Sequence, residues 1–171
     1  MLDNYLIDDI KSALAKLLNE RLQEIGRAAN MLWICFGDDK IYINLKGQPI
    51  VQSEYALHVQ CDWEILNGNE IMLDQEYFYH PKDEATLQLF EEEHFGNSKF
   101  DESAIKFNAA IKANPTHVVS FEVYMTCGFK LVLSNNFTIN VYPYSSLDGE
   151  SWRFLPPDFD EKHLVVFEDE D

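Results

Sequence analysis

Residues 55–66 alternate in character, and their polar positions include His58, Asp62 and Glu64. Residues two apart on a strand project to the same face, so an imidazole and two carboxylates would stand together there. That set could do general acid–base work. The same pattern also describes the polar, solvent-facing side of a half-buried strand, which is the commoner arrangement. Other chemistry finds less support. His58 and Cys61 are three apart and fall on opposite faces of a strand, while His80, His94, His117 and His163 share no ligand spacing. Neither His-Glu-x-x-His nor Gly-x-Ser-x-Gly occurs, and the glycines are isolated, so no phosphate-cradling loop is expected. Cys35, Cys61 and Cys127 form no Cys-x-x-Cys pair and sit in apolar contexts, as core thiols do. The expectation is no metal, no cofactor and no catalytic residue.

Charge points elsewhere. Thirty acids against thirteen Lys and Arg give a formal net charge of −17. Such a chain repels nucleic acid and attracts basic surfaces. Residues 74–102 and 158–171 are densest in acid. An aromatic ring among carboxylates can grip a basic protein, the ring supplying buried area and the acids steering and pairing. On this argument the candidate partner-binding residues are Glu91, Glu92, Glu93, Tyr144, Asp148, Glu150, Asp158, Phe159 and Asp160. An acidic run on a helix face also needs nothing but solvent.

The elements that must position these residues follow from hydrophobic period. Asp3 as N-cap, with Ile7, Ile10, Leu14, Leu17, Leu18, Leu22 and Ile25 at spacings of three and four, predicts an amphipathic helix over 3–25 that Gly26 ends. From residue 31 the period is two. Strands at 31–36 and 40–45 flank a Gly37-Asp38-Asp39 turn, a long strand runs through 55–66, and Asn67-Gly68-Asn69 turns it into 70–73. Residues 81–114 read as a helical pair, the second member beginning near Asp101, carrying Ile105, Asn108 and Ile111 on one line, and closed by Asn114-Pro115. Strands at 118–125, 129–133, 137–142, 151–155 and 163–167 complete the chain. The expected fold is α+β: antiparallel sheets of meander-type hairpins, an N-terminal amphipathic helix and a helical connection between two β-rich halves. Within one domain over 1–171 the divisions are 1–30 helix, 31–80 first half, 81–115 connection, 116–167 second half and 168–171 acidic tail. A weak echo links the halves, Trp63-Glu64-Ile65-Leu66 against Trp152-Arg153-Phe154-Leu155, as duplication would leave.

The run Tyr55-Ala56-Leu57-His58-Val59-Gln60-Cys61-Asp62-Trp63-Glu64-Ile65, with the strand Asn140-Val141-Tyr142-Pro143 and the acidic Gly turn and Trp-Arg-Phe step of 148–154, resembles small uncharacterised acidic bacterial proteins, some of them similar to immunity proteins of toxin systems. The resemblance covers most of 31–167 and carries no catalytic residue. It bears on fold type more than on activity; with the net charge of −17, the single domain and the missing catalytic signature, the expectation is a cytoplasmic, non-catalytic immunity-type protein that neutralises a basic toxin domain. Two other readings stay open: a scaffold or oligomer subunit whose acids confer solubility, and an enzyme with a site in a cleft between the β-rich halves. No apolar run is long enough to span a bilayer, so no membrane partner is expected, and the oligomeric state is not legible.

Overall fold

The computed structural model describes residues 4–83, 98–143, 149–157 and 162–167. Within them, α1 (Asn4–Ala15) leads into β1 (Leu22–Ala28), β2 (Met31–Ile43) and β3 (Pro49–Val59). Next come β4 (Asp62–Asn67), β5 (Glu70–Asp74) and a 3-10 turn at Gln75–Phe78. After α2 (Lys99–Ala113) follow β6 (Val118–Val123), β7 (Phe129–Leu133), β8 (Phe137–Tyr142), β9 (Glu150–Leu155) and β10 (Leu164–Phe167). The fold is α+β with two antiparallel sheets, in the orders β1-β2-β3-β9-β10 and β5-β4-β8-β7-β6. No described helix is long and apolar enough to cross a membrane.

The N-terminal helix is shorter than its apolar spacing suggests. Ile10 and Leu14 on α1 are fully buried, but bonds from Lys16 and Leu17 back to Ala13 and Leu14 tighten the last turn. Asn19 then turns away at φ 67° and the chain enters β1. Leu22 and Ile25 keep a helical spacing of three because the register of β1 on β2 slips between Leu22 and Glu24. That bulge turns both side chains inward on a strand. Gly26 is therefore a strand residue rather than a helix stop.

Three further expectations change. Gly37-Asp38-Asp39 makes no hairpin: β2 runs through it, absorbing the extra residue as a bulge against β3, with Gly37 at φ 80°. The turn comes later, where Asn44 Oδ1 accepts from the backbone N–H groups of Lys46 and Gln48, each at 2.9 Å. The strand over 55–66 breaks at Gln60-Cys61, whose N–H groups both donate to the Ser151 carbonyl, and the chain crosses there from one sheet to the other. Val59, Cys61 and Trp63 are buried on both sides of the crossing, so alternation survives it. On α2 the buried line is Phe100, Ala104, Phe107 and Ile111, while Ile105 is 72% exposed. Ser98 caps this helix in a reciprocal box with Asp101. The first member of the expected helical pair lies outside the described residues.

The sheets pack face to face. Trp152 of β9 meets Phe129 of β7 edge-on at 4.8 Å, and its indole N–H donates to the Cys127 carbonyl at 2.9 Å. The open sides are closed by helices: α1 lies against β6 and β10, α2 against β1 and β5. The two halves of the chain repeat one plan. A helix precedes a three-stranded meander, and a hairpin then crosses to the opposite sheet: α1, β1–β3 and β4–β5; α2, β6–β8 and β9–β10. The bulge between Val118 and Ser120 repeats that between Leu22 and Glu24. Trp63 stands opposite Val141, and Trp152 opposite Val59. The Trp-x-x-Leu echo thus occupies equivalent places.

Candidate functional site

The repeat makes its departures visible. β7 and β8 have five and six residues, whereas their counterparts β2 and β3 have thirteen and eleven. The excess forms a two-stranded arm beyond the sheet. β1 pairs with β2 only as far as Phe36, and β9 pairs with β3 only from Ala56. Among the described residues, then, no third strand flanks β2 over 40–43 or β3 over 49–53. Ile41 stands opposite Val51 and Ile43 opposite Pro49, so these share one face. Ile41, Ile43 and Val51 are 72%, 63% and 66% exposed, and Leu45 at the tip is fully exposed.

Acids gather at the base of the arm. Burial, then the charges of Glu54 and Asp38, push the Glu20 carboxyl above its ordinary value. Asp38 pairs with Arg21 at 3.1 Å, and Lys40 pairs with Glu54 at 2.5 Å. Asp39 accepts from Gln23.

Beside this base, on the outer face of the first sheet, lies a groove of about 510 Å³. Trp33, Cys35, Ala56 and His58 line it from β2 and β3, Glu24 from β1, and Asp39 and Val51 from the arm. Trp33 lies flat on β1: a Cβ built on Gly26 would meet three atoms of its ring at 2.0–2.6 Å. Cys35, expected in the core, is only half-buried here; burial and the carboxylates of Glu24 and Asp39 hold its thiol up, against a hydrogen bond with Ser53. Burial first, and then the charge of Arg153, lowers the pKa of His58.

Of the sequence's candidate partner residues, only Glu150 falls among the described residues; Glu91, Glu92, Glu93, Tyr144, Asp148, Asp158, Phe159 and Asp160 lie outside them. Glu150 grips Arg153 through both oxygens, at 3.0 and 2.5 Å, and Arg153 also stands 3.3 Å from Nδ1 of His163. The acid–base set is not assembled. His58 faces outward on the first sheet, while Asp62 and Glu64 lie on the second, beyond the crossing. Glu64 there accepts from Asn140 at 3.0 Å and from the Tyr142 hydroxyl at 2.9 Å. Tyr124 completes that network by donating to Asn140 at 3.3 Å and stacking on Tyr142. Among the described residues, the space between the sheets is filled by packed core. Among the described residues no three His, Cys, Asp or Glu side chains are placed to hold a metal ion.

Sequence reasoning missed Ile41, Ile43, Val51 and Trp33 as surface residues. Their alternation is that of any core strand; Gly47-Gln48-Pro49 marks a break near the arm's tip but does not show that the strands around it are exposed. No family model, curated protein or solved structure matches the chain.

Proposed function

We propose that the chain is a non-catalytic acidic binding protein that docks a basic protein domain on the arm and the groove beside it, in the manner of an immunity protein neutralising a toxin in the cytoplasm. The observation that carries this reading is the apolar face Ile41–Ile43–Val51, exposed on a ribbon with open edges. A two-stranded hairpin is marginal by itself, and exposed apolar patches mark contact surfaces. Open edges add a row of backbone donors and acceptors for a partner to pair with. The partner's basic character follows from complementarity with Glu20, Glu24, Asp38, Asp39 and Glu54 around the base, within a chain of net charge −17.

The test is affinity capture from the protein's own host with wild type, Ile41→Asp and Val51→Asp. Support requires a basic protein that is retained at low salt, released as salt rises and absent from both variants. Both positions are solvent-facing, so the variants should keep wild-type stability to within about 0.5 kcal/mol. Equal capture by wild type and variants overturns the reading. A wild-type dimer that the variants dissociate, seen by light scattering, would instead make the arm a self-association surface and the chain an oligomer subunit.

A further inference from the structure

We propose that the groove beside the arm is an arginine-side-chain site: the guanidinium stacks on the outward face of Trp33 and pairs with Glu24 and Asp39. This rests on the reading of a basic protein partner and names what that partner inserts. The geometry begins with Gly26. Because it lacks a side chain, the indole of Trp33 settles on the β1 backbone, fixed by contact along one face. Trp33, which is only partly buried, also lines the groove. A flat, immobilised indole is the best aromatic acceptor for a cation, and a planar guanidinium stacks on it where an ammonium cannot.

Charge decides the sign of the occupant. Among the described residues lining the groove, two are carboxylates, Glu24 and Asp39, and none is lysine or arginine. Both carboxylates line the groove together with Cys35, whose thiol their charges help to hold up. Gln23 donates to Asp39 and holds it from the β1 side. Arg153, whose charge acts on His58 in the groove wall, is engaged by both oxygens of Glu150, and Arg21 at the arm base is paired with Asp38. A neutral or anionic guest would leave the two carboxylates uncompensated on burial; a guanidinium offers five N–H donors to them. Ala56 and Cys35, small side chains on the groove floor, leave room for the aliphatic stem.

The site can be probed without the natural partner. Trp63 and Trp152 are buried, 3% and 0% exposed, so a ligand-dependent change in tryptophan emission reports on Trp33. The probe is the capped tripeptide Gly-Arg-Gly, titrated against the full chain beside its lysine and citrulline counterparts. The expected result is a saturable change for the arginine peptide with Kd of about 1 mM. The lysine peptide should bind several-fold more weakly, and citrulline, which is isosteric but neutral, not at all. Glu24→Gln should weaken the arginine peptide about five-fold. Because emission from a Trp33 variant is uninformative, loss of binding in Trp33→Leu is read by calorimetry, with circular dichroism confirming the fold. If Trp33→Leu does not fold, Glu24→Gln and Asp39→Asn decide by themselves.

No saturable change with the arginine peptide up to about 20 mM, or equal binding of the citrulline peptide, overturns the site. The outcomes separate the two proposals. Arginine binding that needs Trp33, with no arm-dependent capture, keeps the site and removes the partner reading. Arm-dependent capture that Trp33→Leu and Glu24→Gln leave intact does the reverse.

Discussion

The six-membered ring of Trp33 lies on Gly26, where even a methyl group would stand 2.0 Å from a ring carbon. The two residues are direct partners across β1 and β2, so the small one makes a seat for the large one. Gly26→Ala should drive the indole off β1 into solvent and cost about 1–3 kcal/mol through overpacking. Tryptophan emission should shift to the red in the native state, and urea denaturation gives the stability. A variant with unshifted emission would mean the indole is not held there.

Arg27 holds Asp101 with two bonds, Nε to Oδ1 and Nη2 to Oδ2, both at 3.0 Å, and its side chain is 4% exposed. This ties β1 to the first turn of α2. Burial raises the Asp101 carboxyl, but hydrogen bonds from Arg27 and Ser98 and the charge of Arg27 outweigh it, and the net shift is downward. A lowered folded value means stability that is fully present above the ordinary value of 3.8 and disappears as pH falls through the folded one. Asp101→Asn should cost about 3 kcal/mol at neutral pH by stranding a buried guanidinium. It should also flatten the acid limb of the stability profile, measured by urea denaturation from pH 7 to pH 2.

Asn108 acts as a one-residue strand on the open edge of β1. Its Oδ1 accepts from the Ile25 N–H and its Nδ2 donates to the Ile25 carbonyl, both at 2.9 Å. Asn108→Leu keeps the volume and removes both bonds beside a residue that is 1% exposed. The expected loss is about 2 kcal/mol. Amide hydrogen exchange at Ile25 should accelerate more than at its neighbours, a local signature that general destabilisation would not give.

His58 gives a prediction of pH dependence. It faces Arg153, Glu150 and His163, with Glu24 and Cys35 in the same groove wall. Burial and Arg153 lower its folded value, Glu150 opposes them, and the unfolded chain therefore takes up its proton first. Its contribution to stability is fully present above the ordinary value of 6.5 and is lost as pH falls through the lowered one. His58→Gln should reduce the slope of stability against pH between 7 and 5, by thermal denaturation in matched buffers. An unchanged slope would place the titration elsewhere.

Much of the architecture was legible in the sequence. Period-two stretches, Asn67-Gly68-Asn69 and Asn114-Pro115 marked strands and turns that the structure has. What misled was local geometry that mimics another period. The bulge after Leu22 gave β1 a helical spacing, and the crossing at Gln60-Cys61 preserved alternation between two sheets, hiding the separation of His58 from Glu64. The candidate site was the least legible part. Ile41, Ile43 and Val51 alternate as core residues do, and only tertiary structure reveals that they stand exposed. Of the nine candidate residues named from charge and exposed rings, all but Glu150 lie outside the described residues, so composition did not lead to the proposed place of contact.

Each meander is completed by a hairpin from the other half of the chain, β9–β10 on one sheet and β4–β5 on the other. Neither half contains a finished layer. A break in the chain between residues 83 and 98 should therefore yield two fragments that stay unfolded alone and regain structure only on mixing, with a rate that rises with concentration. The intact chain escapes that concentration dependence because both halves belong to one polypeptide and the exchange is intramolecular, and it should melt in one transition rather than two.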